Sequence, residues 1–195
     1  MPFAIPRRNA PGADPFAFAF GFVLSQEAGY VDNAADPGGA TNLGVSLRYA
    51  QGKGRLLDLD GDGDVDAADI RLVTADLAAS LYRADFWAPL RADDLPFPVA
   101  LAAFDAAINC GTGRAARWLQ AACGALQDGQ IGPRTLAAVA ARDPRRVFIE
   151  IMTERGLHNA SLPTWPAFGR GWSRRLSRLS IVAWSDSTQA TELPA

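Results

Sequence analysis

The sequence predicts a mainly α-helical fold, and three observations carry the prediction. Prolines stand where helices open, at Pro15 behind Asp14, at Pro133 and at Pro144; a first-turn proline loses no hydrogen bond, because its N–H would be unpaired there anyway. Glycines stand where helices would stop, at Gly111, Gly124 and Gly156. The stretches between them are long, rich in alanine, and bounded by Gly, Pro and Asp.

The elements follow in order. Asp14 caps a helix that begins at Pro15 and carries Glu27 near its end. Phe16, Phe18, Phe20 and Phe22 alternate with small residues, which alone is a strand pattern. The start signal and the all-round apolar character favour a buried helix. Residues 30–44 read as a loop. Further helices are expected over Ala67–Tyr82, Pro98–Asn109, Arg114–Cys123, Pro133–Ala141, Pro144–His158 and Trp165–Trp184. The chain divides into an extension 1–13, a first part 14–112 that includes an acidic loop at 58–69, a helical part 113–184 packed on the first, and a polar tail 185–195.

Length and composition set the bounds. The 195 residues are 49% hydrophobic and 21% charged, which is ordinary for a chain able to bury a core. The net charge of -2 hides an asymmetry: six aspartates lie between Asp58 and Asp69, while Arg142–Arg178 holds eight arginines against three acids. Such a basic stretch fits either a solvated helix surface or an anionic partner. Cys110 and Cys123 are expected to be buried free thiols, since two cysteines make no disulfide framework. No leader-like segment is evident and nothing reaches the about 20 apolar residues of a membrane span. We therefore expect a soluble monomer made in the cytoplasm, with no nucleic-acid partner.

The acidic loop is the most specific local signal. Asp58, Asp60, Asp62, Asp66 and Asp69 fall at positions 1, 3, 5, 9 and 12 of a twelve-residue stretch, with Gly63 at position 6 and Val65 at 8. That is the pattern of an EF-hand-like calcium loop, in which hard oxygens converge on one cation. Asp64, at position 7, would contribute its backbone carbonyl. Aspartate at position 12 is similar to dockerin-type loops, although those come in pairs and this one is single. The ion would be structural Ca2+, pinning a connection. A solvated acidic turn is the competing reading.

Glu27 precedes Asp36 by nine residues and Thr41 by fourteen, across a Gly/Pro-rich loop. Glycoside hydrolysis needs a carboxylic acid that protonates the leaving oxygen and a second group that stabilises charge or activates water. A glutamate closing an apolar helix and facing a loop with Asp and Thr supplies those parts. The pattern alone is weak, because a helix-terminal Glu is often only exposed.

Neighbouring motifs add weight. Glu27-Ala-Gly-Tyr30 followed by Asp36-Pro-Gly-Gly-Ala-Thr-Asn-Leu-Gly44 resembles the E-G-G-Y…D-P-G-G-x-T-x-x-G signature of the glycoside hydrolase 108 family, which comprises phage endolysins and secretion-associated muramidases. Tyr82-Arg-Ala-Asp-Phe-Trp-Ala-Pro-Leu90, Phe104-Asp105, Asn109-Cys-Gly111 and Leu162–Trp172 continue the resemblance in order. It implies a lysozyme-like helical fold, peptidoglycan as substrate and Glu27 as catalytic acid, acting on the wall in the periplasm. Ala28 departs from the usual glycine. The spacing is also similar to the glutamate–aspartate–threonine triad of phage lysozymes, which would give Asp36 and Thr41 roles at the attacking water; for Thr41 a loop-capping hydroxyl competes.

Leu119–Leu136, with Gln120, Asp128-Gly129, Gly132-Pro133 and Thr135, resembles the pattern of helical peptidoglycan-binding modules, although a structural turn would also explain it. Tyr30, Trp87, Trp165 and Trp172 are candidates to stack on sugars, or are core. Asp105 and Asn109 share a helix face and line a cleft or satisfy buried groups. The rival to an enzyme is a non-catalytic, calcium-dependent wall-binding protein.

Overall fold

The computed structural model describes residues 13–26, 30–31 and 39–185. Helix α1 spans Pro15–Ser25 and opens as expected, with the Asp14 carboxylate accepting from the Phe16 N–H at 3.0 Å. Phe16, Phe18, Phe20 and Phe22 are all buried, so the alternation marks a helix enclosed on every side. Each buried ring contributes on the order of 1.5–3 kcal/mol. That outweighs the fraction of a kcal/mol by which Phe, and the about 1 kcal/mol by which Gly21, disfavours a helix.

Among the described residues the chain forms two compact units, one within residues 23–82 and one of residues 13–22 with 83–185. In the first, strands β1 (Thr41–Asn42) and β2 (Val45–Ser46) pair antiparallel. Helix α2 (Leu47–Lys53) follows at once, its first turn capped by Ser46 accepting from the Tyr49 N–H. After the acidic loop come α3 (Ala67–Leu72) and α4 (Ala75–Tyr82). One helix over 67–82 was expected, and the break at Val73–Thr74 has a cause. The Asn42 amide donates to the carbonyls of Ile70 (3.0 Å) and Val73 (3.3 Å), taking acceptors a continuing helix would use. Thr74 then caps the next helix through the Leu77 N–H.

The second unit is built on α5 (Phe97–Cys110), in which every residue from Pro98 to Ala107 is buried. Helices α6 (Thr112–Cys123), α8 (Pro144–Ser161) and α9 (Trp165–Trp184) pack around it, and α7 (Pro133–Ala140) packs on α6 and α8. Alanines at 100, 102, 103, 106 and 107 of α5 and at 115, 116 and 122 of α6 keep those surfaces small and buried. Phe16 joins this core in edge-on contact with Trp87 and Phe104, at centroid distances of 5.5 and 5.8 Å.

Helices α5 and α6 meet across Gly111 and share one unit, and the divisions fall at 22/23 and 82/83. One expectation is corrected. Gly156 does not end its helix, which runs on to Ser161. Val147, Ile151, Arg155 and Asn159 are buried at four-residue steps along α8, and their burial exceeds the about 1 kcal/mol cost of one internal glycine. The expected free thiols are present, Cys123 buried and Cys110 half-buried.

Candidate active site

Glu27 and Asp36 lie outside the described residues. What the structure gives is the frame around them. Helix α1 ends at Ser25, and the Gln26 N–H closes a turn onto the Val23 carbonyl at 3.0 Å, so Glu27 follows two residues after the last helical one. On the far side of the loop, Val31 and Thr41 exchange backbone hydrogen bonds of 2.9 and 2.8 Å. Along the sequence, Glu27 falls between the helix end and Val31, and Asp36 falls between the two bridged residues.

Beyond the bridge, Asn42 pairs with Val45, leaving Leu43 (φ 50) and Gly44 (φ 78) as a two-residue turn. Positive φ at both positions matches the twist of the flanking strands. Gly44 is required twice over: its φ disfavours a side chain, and a Cβ there would sit 2.2 Å from the Tyr82 hydroxyl. That hydroxyl donates to the Gly44 carbonyl at 2.8 Å. Tyr82 and Asn42 therefore fix the hairpin to α4 and α3, a support that sequence reasoning did not single out. Thr41 is half-buried and its hydroxyl donates to the Gly39 carbonyl at 3.3 Å, a bond within the loop. Tyr30 is exposed, with the Arg71 guanidinium 5.0 Å from its ring centroid.

The acidic loop has an ordered internal geometry. The Asp58 carboxylate accepts from Gly61 (2.8 Å) and Gly63 (3.1 Å), Asp60 from Asp62 (3.2 Å) and Asp62 from Asp64 (3.1 Å). Asp69 is buried and closes the loop, accepting from the N–H groups of Asp66 (2.8 Å), Leu59 (2.5 Å) and Asp60 (3.2 Å). Those backbone donors, Asp66 first, hold its carboxyl below the usual range. Asp64 is pushed up, first by the charge of Asp62. Asp60 is also raised: the Asp62 N–H lowers it, but desolvation and the charges of Asp62, Asp69 and Asp58 outweigh that.

Carboxylate oxygens of Asp58, Asp60 and Asp69, and separately of Asp64, Asp66 and Asp69, lie within 4.8 Å of one another. Two oxygens on opposite sides of a calcium ion, each bound at 2.3–2.6 Å, are about 5 Å apart, so the donor set and its spacing fit that cation. Asp62 is in neither group; its carboxylate caps the Asp64 N–H.

Two proposed substrate residues are corrected. Trp87 is fully buried, its indole N–H donating to Asp93 at 2.8 Å, so neither ring face meets a sugar. The surrounding motif is structural too: Arg83 pairs with Asp14 and lies over the Phe16 ring. Asp105 is likewise fully buried. It binds Arg155 in α8 and Arg175 in α9, the latter through Nη2 at 2.6 Å and Nε at 3.0 Å. Desolvation raises its carboxyl, but the charges of Arg175 and Arg155 overcome that and hold it below the usual range. Asn109 is exposed and donates to the Asp105 carbonyl at 2.7 Å. No sequence signal distinguishes Arg155 and Arg175 from their arginine neighbours.

The motif from Leu119 to Leu136 also turns inward. Gln120 is buried; its amide donates to Asp128 (2.6 Å) and the Gln130 carbonyl (3.0 Å) and accepts from the Gly129 N–H (2.9 Å). It works as a staple across the Asp128-Gly129 turn, where Gly129 has φ 82. Among the described residues, no helix is long and apolar enough to cross a membrane.

Comparison with known proteins places these features. Residues 20–111 match the family model described as Glycosyl hydrolase 108. Among solved structures, that of Brucella abortus SagA is similar with 39% sequence identity and a TM-score of 0.75, covering 89% of this chain and 95% of that one. No curated protein matches the chain.

Proposed function

The chain belongs to glycosyl hydrolase family 108, and from that membership we propose that it is an endolysin-type N-acetylmuramidase with Glu27 as general acid. The bond cleaved is the β-1,4 link between N-acetylmuramic acid and N-acetylglucosamine in peptidoglycan. The observation that carries this reading is the position of Glu27: two residues beyond the end of an apolar helix, inside the matched span, and ahead of a loop closed by the Val31–Thr41 bridge. The donor must carry its proton when the bond breaks, and an apolar surrounding is what keeps a carboxylic acid protonated near neutral pH.

In this scheme Glu27 gives its proton to the oxygen leaving with N-acetylglucosamine as the bond to the muramic acid anomeric carbon breaks. Asp36 stabilises the positive charge that develops there or takes the proton of the attacking water, and Thr41 helps to hold that water. Tyr30 and Asn109, both exposed, are the remaining candidates for sugar contact. Carboxylates separated across a loop suit an inverting displacement, for which the two groups stand roughly 6.5–9.5 Å apart. The enzyme would act on the wall in the periplasm as a monomer.

We further propose that the acidic loop binds structural Ca2+ through Asp58, Asp60, Asp69 and neighbouring oxygens, including the Asp64 backbone carbonyl and the carboxylates of Asp62 and Asp66. The cation would neutralise carboxylates that otherwise repel one another and lock the segment joining α2 to α3.

The test is hydrolysis of purified sacculi by wild type and Glu27→Gln, with mass spectrometry of the released muropeptides. The amide cannot donate the proton, so the rate should fall by at least about a hundredfold, with new reducing ends on N-acetylmuramic acid in the wild-type digest. A folded Glu27→Gln variant that clears walls at the wild-type rate refutes the assignment. Sacculus binding with no product from wild type would instead favour a non-catalytic wall-binding protein.

A further inference from the structure

The outward side of α9 carries a stripe that the hydrolase reading does not use. Arg170, Arg174, Ser177, Ile181 and Trp184 are spaced by four, three, four and three residues, the step that keeps side chains on one helix face, and all five are exposed. Gly169, Leu179, Val182 and Ala183 of the same helix are buried. The apolar end of the stripe is extended by α8: the Arg145 guanidinium lies 5.5 Å from the Trp184 ring centroid, and Phe148 braces that ring edge-on at 5.7 Å. Trp184 is nevertheless 42% exposed, Ile181 47% and Ile149 58%.

Charge on this unit is one-sided. Residues 13–22 and 83–185 hold 13 arginines against 9 carboxylates, and 11 against 8 once Asp105, Arg155 and Arg175 are set aside in the core. None of Arg145, Arg146, Arg170 and Arg174 is in an ion pair among the described residues. The carboxylates nearest along α8 are Asp143, which caps the helix through the Arg145 N–H, and Glu150.

We propose that this stripe is a docking surface for an anionic phospholipid bilayer. Arginines flanked by an exposed Trp and Ile suit a bilayer interface, where guanidinium groups meet headgroup phosphates and the indole and aliphatic chains enter the acyl boundary. A hydrated anionic glycan or nucleic acid would match the arginines but would offer nothing to Ile149 and Ile181. The first unit, rich in aspartate, is repelled by such a surface, so the second unit makes the contact.

The experiment is co-sedimentation of the full chain with vesicles of pure phosphatidylglycerol or pure phosphatidylcholine, at low and high ionic strength, with tryptophan emission recorded. The expected result is binding to phosphatidylglycerol alone, weakened by salt, with a blue shift that Trp184→Phe removes. Paired Arg170→Gln and Arg174→Gln substitutions should weaken binding roughly thirtyfold, about fivefold for each arginine, while leaving sacculus hydrolysis unchanged. Equal binding to both vesicle types, no binding, or wild-type binding by the paired variant overturns the proposal. So does a paired variant that loses affinity for sacculi instead of vesicles, which would assign the stripe to a wall polymer.

Discussion

Replacing Asp105 by Asn should be among the most destabilising single changes in the chain. Asp105 is fully buried, Arg155 is 2% exposed, and Arg175 completes the cluster from a third helix, so one carboxylate neutralises two cations that join α5, α8 and α9. Asparagine keeps the shape and removes the charge, leaving two guanidinium groups facing each other with little water. The Nε of Arg155 already has no hydrogen-bond partner. Breaking a buried ion pair by removing one member costs about 3–5 kcal/mol. For a chain of this size 1 kcal/mol corresponds to roughly 2–4 °C, so the melting temperature should fall by about 6–20 °C in calorimetry. The pH dependence has a definite sign. The folded-state pKa of Asp105 lies below its unfolded value of about 3.9. Its stabilisation is therefore complete above pH of about 4 and lost as pH falls through the folded value. Wild type should lose stability on this account only below that point, and Asp105→Asn should lack that part of the acid limb. Joint Asp105→Leu, Arg155→Met and Arg175→Met substitution should recover much of the loss, since apolar replacement of a whole buried charge cluster is often neutral. A single variant melting within about 2 °C of wild type, or one keeping the full acid limb, would refute the electrostatic account.

Three other outcomes are expected. If the acidic loop binds calcium, adding the ion at a hundred times its dissociation constant stabilises the fold by about 2.7 kcal/mol, a rise of roughly 5–11 °C that a chelator reverses and Asp58→Ala with Asp60→Ala prevents; an unchanged melt sinks the calcium assignment. Gln120→Leu orphans the Gly129 N–H and the Gln130 carbonyl and should cost about 1–3 kcal/mol, with faster amide exchange at Gly129; unaltered exchange there would contradict the staple. Gly44→Ala meets a positive φ and the Tyr82 hydroxyl, so denaturant unfolding should show a loss of about 1–3 kcal/mol from the backbone alone, and a neutral result would show that the turn is not held as described.

How far the sequence could be read follows from the range of each signal. Helix starts at Pro15, Pro133 and Pro144 were legible because capping acts within one turn, and the observed starts agree. The break at Val73 was not, because its cause is Asn42, 28 to 31 residues away. Gly156 misled for the same reason: a local stop signal met a row of buried side chains whose partners lie on other helices. Asp105 shows the limit most clearly at the site. Its four-residue spacing from Asn109 correctly gives a shared helix face, but spacing does not say what that face meets. Here it meets two arginines from 50 and 70 residues further on, so the carboxylate that looked available for a sugar is committed to the core. Trp87 repeats the point with an aromatic. Glu27, by contrast, was singled out by the ordered motifs around it, and the matched span of residues 20–111 includes it. On the proposed assignment of Glu27, the motifs in this chain record two kinds of requirement, one for chemistry just after α1 and one for packing around α5. Only the packing partners, found far along the chain, separate the two.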